Sequence, residues 1–87
     1  MKEYAAQCVL KGMVDRLETS ESGELAPEFR RGAIACAAST ITIIAGEGAV
    51  DDVYETIAPH VENLCQGHEM SQEAFDDLLS AIVENHL

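Results

Sequence analysis

No Lys or Arg follows Arg31, tryptophan is absent, and two Tyr and two Phe are the whole aromatic complement of 87 residues. Five basic residues against sixteen acidic ones leave a formal charge of −11. A chain this short of cations lacks the basic face that gripping nucleic-acid phosphates requires, and equally the one that holds anionic lipid by charge. Three cysteines are too few, and odd in number, for a secreted disulfide framework. The longest uncharged run is Gly32 to Gly46. As a helix it would be about 22 Å long, short of the roughly 20 residues of a membrane span. The start, MKEYAAQC, has neither an apolar h-region nor a cleavage site, so no secretory leader is expected. The expectation is a cytoplasmic protein with reduced thiols.

The motifs of the common chemistries are missing too. There is no nucleophile elbow, no phosphate-cradling glycine loop and no H-E-x-x-H pair. The adjacent pairs Asp51–Asp52 and Asp76–Asp77 do not face each other on a helix, so neither is a ready acid–base dyad. Cys8 would need a distant His to become a nucleophile. No catalytic residue, and no enzyme, is expected. His60, Cys65 and His68 have ligand types that suit zinc, but Cys65 also fits the apolar stripe of its helix as a small hydrophobe. The reading is core packing for Cys65, exposed histidines, and no metal or other cofactor. The calcium-loop pattern D-x-[DN]-x-[DN]-G is absent as well.

What is present is helical periodicity. A chain of this size buries about 63% of its unfolded surface, enough for one modest core and one domain spanning 1–87. Ala5, Ala6, Val9, Leu10, Met13, Val14 and Leu17 form a 3.6-residue stripe over 2–19. The segment TSESGEL breaks it. A second helix opens at Pro27, whose missing N–H costs nothing in a first turn, and runs to about Ala45. Being apolar all round, it is expected to be central and enclosed. Its β-branched run STITII suits a buried strand equally well, but no second strand-like run exists to pair with it. Val50 to Cys65 repeats the amphipathic stripe toward Gly67, with a kink or split near Pro59. Ser71 caps the last helix and Met70 is spaced to staple onto Phe75. Together these predict an all-α, compact bundle of about four amphipathic helices. Tyr4, Phe29, Tyr54 and Phe75, one near each helix start, are expected to plug the ends of the core.

Charge is segregated along the chain. Residues 1–31 hold all five basic residues and six acids, net −1, while residues 32–87 hold ten acids and no Lys or Arg, net −10. Asp51, Asp52, Glu55 and Glu62 lie off the stripe of helix 3, and Glu73, Asp76, Asp77 and Glu84 off that of helix 4. Two carboxylates at the four-residue spacing of 51/55 or 73/77 repel by about 0.7 kcal/mol in water. Helix dipoles favour Asp51, Asp52 and Glu73 in their first turns; the others have no such compensation. One explanation is a solvated face that keeps an apolar protein soluble. The other is a surface formed by Asp51, Asp52, Glu55, Glu62, Glu73, Asp76 and Asp77 that meets a basic partner, possible targets being a nuclease or a DNA-binding protein.

In size and charge the chain is similar to small acidic inhibitors such as bacteriocin immunity, anti-restriction and anti-CRISPR proteins, a likeness of composition without a shared motif. The functional expectation is an inhibitor or decoy that binds no nucleic acid or membrane itself. The alternative is a structural or adaptor module, or a homodimer, with an apolar seam on helices 1 or 2. Gly12, inside helix 1, points to close contact with another helix of the same chain or of a second one.

Overall fold

The computed structural model describes residues 1–19, 26–62, 64 and 69–87. Four helices account for nearly all of them: α1 (Lys2–Thr19), α2 (Ala26–Ala45), α3 (Val50–Val61) and α4 (Gln72–His86). No strand occurs among the described residues. The STITII run is helical, and Thr40 and Thr42 within it donate their hydroxyls to the carbonyls of Cys36 and Ala38 one turn back, at 2.9 and 2.8 Å. Gly46, with a φ of 84° that a side chain would resist, ends α2 by donating to the carbonyls of Thr42 and Ile43.

α1 packs on α2, α2 on α3, α3 on α4, and α4 closes the ring against α1. Four hydrogen bonds near the helix ends define an up-down-up-down order. Lys2 Nζ at the start of α1 donates to Ala45 O at the end of α2, 3.4 Å. Arg30 Nη1 in the first turns of α2 donates to Glu62 O just past α3, 2.9 Å. The Glu18 carboxylate near the end of α1 accepts the Met70 N–H ahead of α4, 2.8 Å. Thr56 and His86 join the middle of α3 to the end of α4 at 2.8 Å. The Thr56 hydroxyl already donates to Asp52 O at 3.0 Å, so His86 Nε2 is the donor in that contact.

Leu10, Leu17, Ile41, Ile57, Val61, Leu78 and Ile82 are fully buried at the centre, and each contributes about 1.5–3 kcal/mol through lost water contact. No polar or charged side chain is buried among the described residues. The accessible surface is 5453 Å² and the principal extents are 35 × 24 × 17 Å. None of the described helices is long and apolar enough to cross a membrane.

Three expectations need correction. α2 does touch two neighbours, but it is not enclosed: Phe29, Gly32, Cys36 and Ile43 face outward, Ile43 at 79% exposure. Four helices of this length leave each one with a free side, and an all-apolar helix fills that side with apolar residues. The aromatics divide. Phe75 is buried and Tyr54 packs against the core, whereas Tyr4 (65% exposed) and Phe29 (41%) stand on the surface. Finally, a Cβ added at Gly12 would meet nothing within 4 Å, so no helix of the same chain presses on it.

α3 stops two residues after Pro59 rather than running to Gly67. Pro59 lies in the last turn, where only its own missing bond to the carbonyl four residues back is lost. Leu64 follows, buried in a 3₁₀ turn. Cys65, Gly67 and His68 lie outside the described residues, and so does the reading made of Cys65 and His68 as core and ligand candidates; His60 is exposed.

Candidate interaction surface

The acidic surface begins with two helix starts. α4 opens at Ser71, whose extended backbone (φ −71°, ψ 160°) lets its hydroxyl accept the Ala74 N–H at 3.1 Å. Met70 and Phe75 line one groove against α1, the staple placement expected for N′ and N4. α3 opens at Ala49, which has no side chain to cap with. Asp51 and Asp52 in that first turn, and Glu73 in the first turn of α4, instead place negative charge at the positive ends of the helix dipoles.

All seven sequence-named carboxylates, Asp51, Asp52, Glu55, Glu62, Glu73, Asp76 and Asp77, are exposed. They do not converge. Asp51, Glu55 and Glu62 stand at i, i+4 and i+11, and Glu73, Asp77 and Glu84 repeat that spacing on α4. At 100° per residue these offsets are about 40° and 20° around the axis, so each trio forms a row about 16.5 Å long. Glu62 keeps helical dihedrals (φ −54°, ψ −35°) and so extends the row of α3. Both rows lie on the side of the helix away from the buried residues Val53, Ile57 and Val61 in α3, and Phe75, Leu78 and Ile82 in α4.

The antiparallel arrangement runs the rows in opposite senses. Asp51, Asp52 and Glu55 share an end of the bundle with Glu84 and the close of α4. Glu73, Asp76 and Asp77 share the other end with Glu62. Among the described residues, the one hydrogen bond to a side-chain carboxylate of the seven is Gln72 Nε2 to Asp76 Oδ1, 2.9 Å. It comes from the same helix and neutralises nothing. No three His, Cys, Asp or Glu side chains gather as a metal ion would require among the described residues. The carboxylates are spread along a surface rather than condensed into a chelate.

Two residues outside the sequence-named seven join this surface. Glu84, already read in the sequence as off the apolar stripe of its helix, completes the row of α4. Glu3 comes from α1 and borders, with Asp76 and Glu84, a shallow groove floored by Leu79 and Val83. Nothing in the sequence could have placed Glu3 there, because it depends on α4 closing the ring against α1.

A cleft of about 680 Å³ between the start of α2 and the end of α3 is lined by Arg30, Arg31, Ile34, Tyr54, Ala58 and Glu62 among others. Its guanidinium Arg30 is engaged with the Glu62 carbonyl, where a cation offsets the negative end of the α3 dipole. Comparison of the chain with family models, with curated proteins and with solved structures finds no match in any of the three.

Proposed function

We propose that this chain is a non-enzymatic binding protein, an inhibitor or decoy whose acidic α3/α4 surface docks onto a basic, nucleic-acid-handling protein. The observation that carries the reading is the pair of carboxylate rows, exposed on two helices and without an ion pair to any Lys or Arg among the described residues. Like charges at this spacing cost stability, and a binding surface repays that cost by releasing the repulsion on contact with Lys and Arg. Rows of fixed negative charge match the groove of a protein built to hold a phosphate backbone, and complementarity of this kind gives fast, salt-sensitive association.

The test is capture of a partner from lysate on the immobilised protein, with elution by a salt gradient. Replacing Glu73, Asp76 and Asp77 together by Lys is expected to abolish capture of a basic partner while leaving helical circular dichroism intact. Charge reversal on the other hairpin, at Asp15 and Glu28, serves as the control and leaves binding in place or weakens it only slightly. Unchanged affinity in the first triple variant, or a partner whose retention ignores salt, sinks the reading.

A further inference from the structure

Arg30 and Arg31 are the one pair of adjacent cations in a chain of net charge −11, and both open into the cleft between the start of α2 and the end of α3. On α2, Pro27, Arg30, Arg31 and Ile34 stand at i, i+3, i+4 and i+7, a single helical face. From α3 come Tyr54, Ala58 and Glu62, four residues apart and so likewise on one face. Ile34 is buried, and half-buried Tyr54 and Ala58 pack against the core. The cleft thus has an apolar floor and a charged rim. Its volume of about 680 Å³ is of the size that takes small molecules.

The two guanidiniums differ in what they already hold. Arg30 donates from Nη1 to the Glu62 carbonyl at 2.9 Å, which fixes its head at the rim and leaves the rest of its N–H fork unused among the described residues. Arg31 makes no hydrogen bond or ion pair among the described residues, neither with the Glu62 carboxylate across the cleft nor with Glu28 one turn back on its own helix. Glu62 is the one carboxylate among the described residues that line the cleft, so the rim carries two cations against one anion.

That rim selects for chemistry. A guanidinium presents parallel N–H donors that match two oxygens of a carboxylate or phosphate in its plane. The floor of Ile34, Ala58 and Tyr54 favours a ring or a short aliphatic body over water. An inorganic anion would use the rim and leave the floor wet, and an uncharged hydrocarbon would use the floor and leave the guanidiniums without a counter-charge. A molecule with both parts uses both.

We propose that this cleft is a binding site for a small organic anion, a carboxylate or phosphate ester carried on an aromatic or short aliphatic body. Arg31 grips the charged end, Arg30 adds its free donors from its place on the Glu62 carbonyl, and the body lies on Ile34, Ala58 and Tyr54. The site does not rest on the acidic-surface reading, takes a ligand of the opposite charge and shares only Glu62 with that surface.

Amide-resolved NMR titration of the intact chain tests this with four probes: benzoate, phenyl phosphate, inorganic phosphate and uncharged benzyl alcohol. Benzoate or phenyl phosphate is expected to move the resonances of Arg30 to Ile34 and of Tyr54 to Ala58 saturably, the tighter of the two naming the headgroup. Inorganic phosphate and benzyl alcohol are each expected to bind about tenfold or more weakly. Arg31→Gln removes no contact within the chain, so it is expected to keep the helical circular dichroism and lose about tenfold or more in affinity. Arg31→Lys, which keeps the charge without the fork, is expected to recover only part of that loss. No saturable shift at the cleft with either organic anion overturns the proposal, as does a shift that Arg31→Gln leaves unchanged. Inorganic phosphate binding as tightly as phenyl phosphate overturns it too, because the cleft then holds an adventitious ion only. Benzyl alcohol binding as tightly as benzoate reduces the cleft to an apolar groove and overturns the anion site. Capture of a basic partner is expected to survive Arg31→Gln, so this site and the acidic surface fail separately.

Discussion

The α1–α2 hairpin supplies Leu10, Leu17, Ile34 and Ile41 to the centre of the bundle, and the α3–α4 hairpin supplies Ile57, Val61, Leu78 and Ile82, all of them essentially inaccessible to water. At the surface the two hairpins part. The first holds every Lys and Arg of the chain together with an outward apolar and small-residue face; the second holds two rows of carboxylates with no cation on either helix. A core shared evenly beneath surfaces so unlike separates two kinds of physical constraint on the same fold. Packing fixes the inward faces of all four helices alike, while the outward faces are free to differ and therefore carry what is specific to this protein.

The largest effect that tests the comparison is in the core. Leu10→Ala in the first hairpin and Leu78→Ala in the second each leave a cavity in a fully buried site, and each is expected to cost about 2–5 kcal/mol. Urea unfolding followed by circular dichroism reads both. Two similar losses with one cooperative transition mean one core. A Leu78→Ala loss under 1 kcal/mol, or a second transition, would show that α4 is only loosely joined to the rest.

That inward half of the structure was legible in the sequence. The stripe from Ala6 to Leu17 sets α1 at Lys2–Thr19, and Ser71 announces α4, because periodicity and capping are local physics. The outward half was less so. α2 is apolar on every side, so its sequence carries no direction, and only the positions of α1 and α3 decide that Ile34 and Ile41 turn in while Phe29 and Ile43 turn out. The same dependence on neighbours exposes Tyr4 and brings Glu3 beside Asp76. Individual carboxylates of the candidate surface were legible as residues off the apolar stripe. Their division between opposite ends of the α3–α4 pair was not, since it follows from antiparallel packing.

A smaller effect separates the starts of the two helices that carry the acidic rows. Ser71 satisfies an α4 backbone N–H that would otherwise lack a partner, while Ala49 offers α3 nothing equivalent. Ser71→Ala is therefore expected to destabilise by about 1 kcal/mol, and Ala49→Ser to stabilise by a comparable or smaller amount. Midpoint shifts in urea with unchanged slope would show this. If Ala49→Ser gives nothing, the dipole interaction with Asp51 and Asp52 already suffices at that end.

The smallest effect bears most directly on why the hairpins differ. Asp77 faces Glu73 one turn away with no cation to relieve it among the described residues, so Asp77→Lys turns a repulsive pair into an attractive one. At low salt the variant is expected to gain about 0.3–1 kcal/mol, counting the loss of repulsion and the new attraction. The gain should fade toward 1 M salt, where the Debye length is about 3 Å. A chain improved so easily in isolation would keep its carboxylate rows at the expense of its own stability, which the proposed contact with a basic partner would explain. Were Asp77→Lys neutral or destabilising at low salt, the rows would carry no such tension, and solvation alone would account for them.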